Sequence, residues 1–336
     1  MSDKNYKYID FIRVFSIFMV ILLHCICDYY ADVANAGRNL WYVIGYANEL
    51  ARVAVPLFFM ISGFLLLSKD ITDIKAFYKK RILKIGIPFI AYDIFYYIYM
   101  TVQAGRDISV SGFFTELINC GSAYHLWFVY SILFIYLLMP FLQIIVKNCD
   151  AKKLIFLFLI AIFQTSIRPL INTFADGRFY LFLADDGITG YIGYVLLGYI
   201  LGKYDLKKNT KRIIYALSIA TFIITPLISM NRVLNTGDYL FLSGYSSNHY
   251  IEAAGIFIWC RDHLHKESKI ITKLSHHSFS AYLIHVFFLE ILKPIPLNLA
   301  PSSVMLLWFA SVSVLSFAWS GAENSLKSVI NIKTKR

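Results

Sequence analysis

The sequence is poor in charge and has no cysteine pattern that would bind a metal or form a disulfide framework. Only 16% of its 336 residues are charged and 58% are hydrophobic, whereas soluble domains carry about a quarter charged residues. The five cysteines form no CxxC pair and no Cys/His group with zinc spacing. No repeat period of about 20 to 50 residues divides the chain. These absences exclude disulfide-rich, zinc-finger and repeat proteins, and they predict no metal site.

Long apolar runs recur at about the 20-residue length that crosses a bilayer. They lack the alternation of barrel strands and therefore predict helices, whose backbone polar groups are satisfied internally. The sequence predicts an all-α, polytopic integral membrane protein in which residues 1–336 form a single transmembrane domain. About ten spans are expected, near residues 9–27, 42–67, 82–101, 125–146, 153–170, 188–202, 212–230, 240–260, 276–292 and 302–320.

The basic residues are distributed unevenly over the predicted loops. With the N-terminus in the cytoplasm, 24 of the 32 Lys and Arg residues fall on inner segments and 6 on outer loops. This bias predicts a multi-pass protein of the inner (cytoplasmic) membrane with both termini cytoplasmic. The net charge of +11 is spread over every inner loop, where it can meet anionic lipid headgroups. Nucleic acid needs a concentrated basic face and is excluded as a partner.

The first helix carries three ionisable residues on one face. Asp10, Arg13 and His24 fall on a single helical stripe, and Asp10 can pair with Arg13 at i,i+3. His24 stands about 16 Å above Arg13, so the two cannot form a catalytic pair. A structural His is the alternative for His24, but ionisable groups in lipid are usually functional. Its partner must come from another helix, and Arg52 and Glu252 are the first candidates.

The second span, "ANELARVAVPLFFMISGFLLL", contains further polar residues. Glu49 and Arg52 have i,i+3 spacing, and Arg52 is expected at about the depth of His24. A buried guanidinium needs an anion or carbonyl partner. Pro56 frees a backbone carbonyl and can kink the helix. Ser62 lies deeper in the membrane. It can serve either helix packing or the site, and the sequence leaves both roles open.

The third span begins with a basic cluster, "FYKKRILKIGIP". Lys80, Arg81 and Lys84 stand at the inner membrane edge, where charge also sets topology. Clustered basic side chains at the start of a helix suit a multiply charged ligand such as a phosphate. A phosphate site is therefore predicted beside the topology role.

Polar residues recur in three later spans. His125 and Trp127 fall at the outer interface, where Trp is common and where a His could face a sugar. Glu252 falls near mid-membrane. In the ninth span, Tyr282 and His285 share one helix face. Two function classes fit this interior: an enzyme with a cytoplasmic donor and an outer acceptor, or a secondary transporter with an intramembrane His/Arg/Glu relay.

Five stretches resemble the acyltransferase-3 family of membrane O-acyltransferases. They are "YIDFIRVFSIFMVILLH", "VPLFFMISGFLL", "KKRILKIGIP", "YHLWFVYSILFIYLLMP" and "HHSFSAYLIH". The resemblance implies acyl transfer from acetyl-CoA, used as a substrate with no bound cofactor, to a hydroxyl of a surface or lipid-linked glycan; succinyl-CoA is the alternative donor. The family's essential His falls on His24 and its first-helix Arg on Arg13. Its basic motif, often Arg-x-x-Arg, falls on Arg81 and Lys84.

These residues suggest a mechanism as a hypothesis. His24, kept neutral by desolvation, would act as general base on the acceptor hydroxyl. Arg52 is the candidate donor to the developing oxyanion. Arg13, paired with Asp10, would line the donor channel.

Overall fold

The computed structural model describes residues 6–31, 38–119, 121–167, 189–236 and 246–333. Within these ranges the regular elements are helices and no strand is present. The all-α prediction is thus confirmed. The thirteen α-helices of the described residues are α1 Lys7–Ala31, α2 Arg38–Arg52, α3 Ala54–Leu67, α4 Ile74–Arg81, α5 Ile87–Gln103, α6 Val110–Ile118, α7 Trp127–Lys147, α8 Ala151–Ile162, α9 Thr189–Lys203, α10 Lys208–Thr236, α11 Ser247–His263, α12 Lys269–Leu292 and α13 Pro301–Lys333.

Six helical stretches in these residues are long and apolar enough to cross a membrane. They are Lys7–Tyr29, Asn39–Leu67, Ile74–Gln103, Tyr124–Lys147, Lys208–Asn235 and Pro301–Leu326. They coincide with the first four, the seventh and the tenth predicted spans, so the chain is a multi-pass membrane protein. The other four predicted spans overlap α8, α9, α11 and α12. Three of them extend into residues 168–170, 188 and 240–245, which lie outside the described residues. The count of ten and the side of the termini stay predictions.

The bounds of several predicted spans differ in the structure, and two of the differences have a clear local cause. The third begins at Ile74 rather than at residue 82, because Asp73 caps the helix by accepting a hydrogen bond from the Ala76 amide at 2.9 Å. The basic cluster therefore lies on a helix, which continues through a π-helical turn at Ile82–Gly86. The second span is interrupted by a single turn residue, Val53, three positions before the proline that removes a helical amide donor.

The first helix lies at the centre of the bundle. It packs against α2, α3, α11, α12 and α13, and its buried face includes Ile12, Ile17 and Ile21. This position lets α1 present polar side chains to several other helices at once.

Glycines bring α3 and α9 into close contact. A Cβ on Gly63 would lie 2.0 Å from the Val195 carbonyl oxygen, and one on Gly198 would lie 2.1 Å from that of Met60. Real side chains cannot approach so closely, so the two backbones touch only because both positions are glycine.

Ion pairs join segments that the charge pattern assigns to the same side of the membrane. Lys7 pairs with Glu267 at 2.8 Å and Lys147 with Asp70 at 2.6 Å, all four on predicted inner segments. Lys293 pairs with Asp28 at 2.7 Å, both at the predicted outer side. The loops are therefore grouped as predicted, whichever group faces the cytoplasm.

Candidate active site

A cavity of about 500 Å³ opens between the central helices. It brings together most of the predicted donor-side residues, although they come from five separate parts of the chain. The cavity is lined by Arg13, Phe58, Ile61, Ser62, Leu65, Leu66, Lys69, Lys80, Arg81, Lys84, Ile85, Phe128, Ile132, Tyr136, Ser278, Phe279 and Tyr282.

One part of the lining is strongly basic. Lys80, Arg81 and Lys84 lie around the α4 end and its π-helical turn, and Lys69 joins them from the loop after α3. The Arg81 guanidinium sits 4.8 Å from the ring centroid of Phe77 and 5.3 Å from that of Tyr136. These cation–π contacts hold the guanidinium in place. The cluster can accept a polyanionic ligand.

Arg13 reaches the same cavity from α1. Its Nη1 donates to Asp10 at 3.4 Å, which confirms the pairing expected from i,i+3 spacing. Asp10 also accepts a 2.7 Å hydrogen bond from Ser275 on α12 and a 3.4 Å bond from Thr272. The pair therefore fastens α1 to α12 beside the cavity.

Three histidines converge near the predicted outer half of the bundle. The ring centroid of His24 lies 5.2 Å from that of His285, and His285 lies 5.0 Å from His125. Tyr124 lies on another side of His24, at 5.1 Å. The group beside His24 thus comes from another helix, as expected, but it is His285. Arg52 is near enough to His24 for its charge to act on the ring.

Tyr282 connects the cavity with this His cluster, defined as His24, His125 and His285. Its side chain lines the cavity, and its ring centroid lies 5.6 Å from both His125 and His285. Its hydroxyl donates to the His125 carbonyl. A ligand in the cavity therefore meets Tyr282 immediately before the imidazoles.

Backbone carbonyls fix the ring tautomers of two of the histidines. His285 Nδ1 lies 2.5 Å from the Tyr282 carbonyl oxygen, and His125 Nε2 lies 3.3 Å from that of Leu283. A carbonyl only accepts, so these nitrogens carry the ring protons. The opposite nitrogens, His285 Nε2 and His125 Nδ1, hold lone pairs and are buried without a hydrogen-bond partner in the described residues.

Several predicted site residues lie elsewhere. His125 does not face the outer surface but is 1% exposed. Glu252 does not lie beside His24. It lies with Glu49 and His249, and one side-chain N or O atom of each of the three residues is within 4.8 Å of the others. Trp127 is 37% exposed and stacks on Tyr191 with 5.8 Å between ring centroids.

Ser62 lines the cavity, with its hydroxyl 3.4 Å from that of Tyr136. No histidine or carboxylate of the described residues is hydrogen-bonded to this hydroxyl, so the geometry gives it no base.

Sequence reasoning missed Lys69, Tyr124 and Tyr136. Each had only a weak sequence signal, because lysines at loops and tyrosines near membrane edges are common for other reasons.

The described helices and polar cavity define a helical membrane protein with a buried His/Arg centre. A family model described as "Acyltransferase domain", the acyltransferase-3 family, matches residues 6–322. The chain therefore belongs to the acyltransferase-3 family.

One curated relative is an "Amino-acid racemase" from Enterococcus faecalis, 27% identical over 134 residues. The match covers 38% of this chain and 17% of the racemase, so it concerns a small part of that protein. No solved structure matches the chain.

Proposed function

We propose that the protein transfers an acetyl group from cytoplasmic acetyl-CoA to a hydroxyl of a cell-surface or lipid-linked glycan at the inner membrane. The cavity between the central helices supports this function most directly. It has a basic lining suited to coenzyme A, and Tyr282 joins it to the His cluster. Within a family of acyltransferases, this arrangement would serve as a donor site joined to a base.

The donor would bind by its phosphates. Lys80, Arg81 and Lys84 would contact them, since charge-assisted hydrogen bonds to phosphate are the strong ones. Arg81 is already held over two aromatic rings, so little side-chain freedom would be lost on binding. The thioester arm would then follow the cavity past Arg13 toward Tyr282.

The acceptor hydroxyl would react at His24. A sugar hydroxyl is a weak nucleophile near neutral pH, so His24 takes its proton as the oxygen attacks the thioester carbonyl. The carbon–oxygen bond forms, the carbon–sulfur bond breaks, and the proton passes from His24 to the leaving sulfur. Arg52, whose charge reaches His24, would stabilise the oxyanion.

His285 would act as a positioning residue for His24. Its proton is fixed on Nδ1, so its Nε2 lone pair can accept a hydrogen bond from the single ring N–H of neutral His24 after a small rotation. This contact would orient His24 with its other nitrogen toward the acceptor, as the base's orienting group does in a catalytic triad.

The acceptor would approach from the Trp127 side. The partly exposed indole stacks on Tyr191 and lies two residues after His125 of the His cluster. Aromatic faces of this kind can pack on the apolar face of a sugar ring.

The stretches "ARVAVPLFFMISG" and "HLWF" resemble the O-acetyltransferase of enterobacterial common antigen, and we propose a polysaccharide of that general kind as acceptor. Succinyl-CoA is the alternative donor. Measuring the rate of acyl transfer from acetyl-CoA and from succinyl-CoA distinguishes the two donors.

The test is transfer by the purified protein in lipid nanodiscs. The expected result is loss of acetyl-CoA together with acetylation of glycan from the producing cell, detected by mass spectrometry. Movement of a substrate across proteoliposomes without consumption of coenzyme A thioester would favour the transporter instead.

A further inference from the structure

We propose that Glu49, His249 and Glu252 bind a divalent transition-metal ion, with Zn²⁺ as the type ion, at a site separate from the His cluster. Glu49 comes from α2, and His249 and Glu252 come from the first turns of α11. One ligand atom from each lies within 4.8 Å of the others. Nothing in the sequence spacing indicates this site, because α2 and α11 lie far apart in the chain.

The three side chains are fully enclosed. Glu49 and His249 are 0% exposed and Glu252 is 2% exposed. An ionised carboxylate away from water is costly unless a positive charge or hydrogen bonds compensate it. Ionisable groups buried inside a membrane protein therefore pair with one another or mark a functional site.

Hydrogen bonds around the cluster have one consistent direction. Asn248 Nδ2 donates to Glu49 Oε1 at 2.6 Å, so the Asn248 Oδ1 is the acceptor for the Ser246 hydroxyl. Since that hydroxyl proton goes to Asn248, Ser246 Oγ accepts from His249 Nδ1 at 3.0 Å. His249 Nε2 is therefore a lone-pair nitrogen, and it faces Glu49 Oε1 at 3.7 Å.

Acceptor atoms accumulate on the inner side of this network. Glu49 Oε2 and both oxygens of Glu252 are buried and make no well-formed hydrogen bond within the described residues, although the Thr221 hydroxyl acts on Glu252. The nearby charge that acts on Glu252 is that of Glu49, another carboxylate. Carboxyl and imidazole lone pairs that converge where two carboxyl groups repel each other fit a cation.

The donor set selects the kind of cation. One imidazole and two carboxylates suit Zn²⁺ and related first-row ions better than Mg²⁺ or Ca²⁺, which prefer oxygen ligands. A tetrahedral site with metal–ligand distances of about 2.0–2.2 Å places ligands about 3.4 Å apart. His249 Nε2 and Glu49 Oε1 are 3.7 Å apart and the three ligand atoms are within 4.8 Å of one another, so the side chains would move closer together around a bound ion. The hydrogen bond from His249 Nδ1 to Ser246 is the outer contact that ligating histidines usually make.

The test is metal binding by the full-length protein in detergent. Chelator-treated protein is titrated with Zn²⁺ against a competing chelator, and bound metal is counted by mass spectrometry after desalting. We expect about one Zn²⁺ per chain and a loss of affinity of about 10-fold or more in Glu252→Gln. The matched control is Glu290→Gln on α12. It removes a carboxylate that lies 3.9 Å from the Lys293 amine, and this variant should bind Zn²⁺ like wild type.

A second measurement keeps the proposal testable if Glu252→Gln does not fold. Zn²⁺ should raise the thermal midpoint of the wild type and of Glu290→Gln, and EDTA should reverse the shift. If the wild type binds no Zn²⁺ and its thermal midpoint does not shift, the metal site is wrong. The two carboxyl groups would then share a proton instead. A folded Glu252→Gln variant that binds Zn²⁺ like wild type would also overturn the metal site.

Discussion

The imidazole rings of His24 and His285 lie 5.2 Å apart between centroids, although they come from the first helix and from α12. The contact exists because α1 and α12 pack against each other and are fastened by the Asp10–Ser275 hydrogen bond at 2.7 Å. A pair of imidazoles in one buried centre can orient and relay a proton.

Replacing His285 should slow the chemical step without weakening donor binding. In His285→Gln we expect kcat to fall on the order of 10²-fold while the KM for acetyl-CoA stays near the wild-type value. The pH–rate profile should also move, since His24 loses its orienting partner. The control is His277→Gln on the same helix, whose ring bonds Ser320 at 3.0 Å away from the His cluster. Equal kcat values in the two variants would remove His285 from the mechanism.

The basic lining should control donor affinity. Arg81→Ala combined with Lys84→Ala should raise the KM for acetyl-CoA by about 10-fold or more, because charged hydrogen bonds contribute about 1.5–3 kcal/mol each. Steady-state kinetics at saturating acceptor measure this.

The matched control for the basic pair is Lys75→Ala with Lys79→Ala. These exposed lysines lie on α4 but outside the cavity lining. If both double variants raise KM alike, the effect is one of general surface charge and the phosphate site is wrong.

Trp127 should affect the acceptor and not the donor. Trp127→Ala is expected to raise the KM for the glycan several-fold, with donor KM unchanged, because an exposed stacking surface is lost. Trp259→Ala, which removes a 47% exposed indole on α11, is the control. Unchanged acceptor kinetics in Trp127→Ala would exclude the proposed approach.

The contact of α3 with α9 should be intolerant of any side chain. Gly198→Ala places a methyl group against the Met60 carbonyl and should destabilise the fold by about 1–3 kcal/mol through overpacking. Thermal unfolding of the detergent-solubilised protein measures the loss. Gly321→Ala is the control, since no atom lies within 4 Å of its added Cβ. A wild-type midpoint for Gly198→Ala would show that the helices can separate at little cost.

The sequence predicted the helical membrane fold and most of the donor side. Helical periodicity placed Asp10, Arg13 and His24 on one face, and the basic cluster marked the start of the third span. Such features are local, so spacing along one helix is sufficient to find them.

Contacts between distant helices were beyond sequence reasoning. His285 rather than Glu252 lies beside His24, because the packing of α1 on α12 decides which ring arrives there. For the same reason, His249 could not be linked to Glu49 before the structure. A single sequence does not show which faces of two distant helices contact each other.

The most direct test of His24 as the general base is acetyl transfer by the His24→Ala variant. The purified variant, with a wild-type elution volume and thermal midpoint as proof of folding, is incubated with radiolabelled acetyl-CoA and glycan from the producing cell. If His24 is the general base, labelled glycan falls by about 10²-fold or more, while acetyl-CoA still binds with wild-type affinity. Transfer at the wild-type rate in the folded variant would contradict this role.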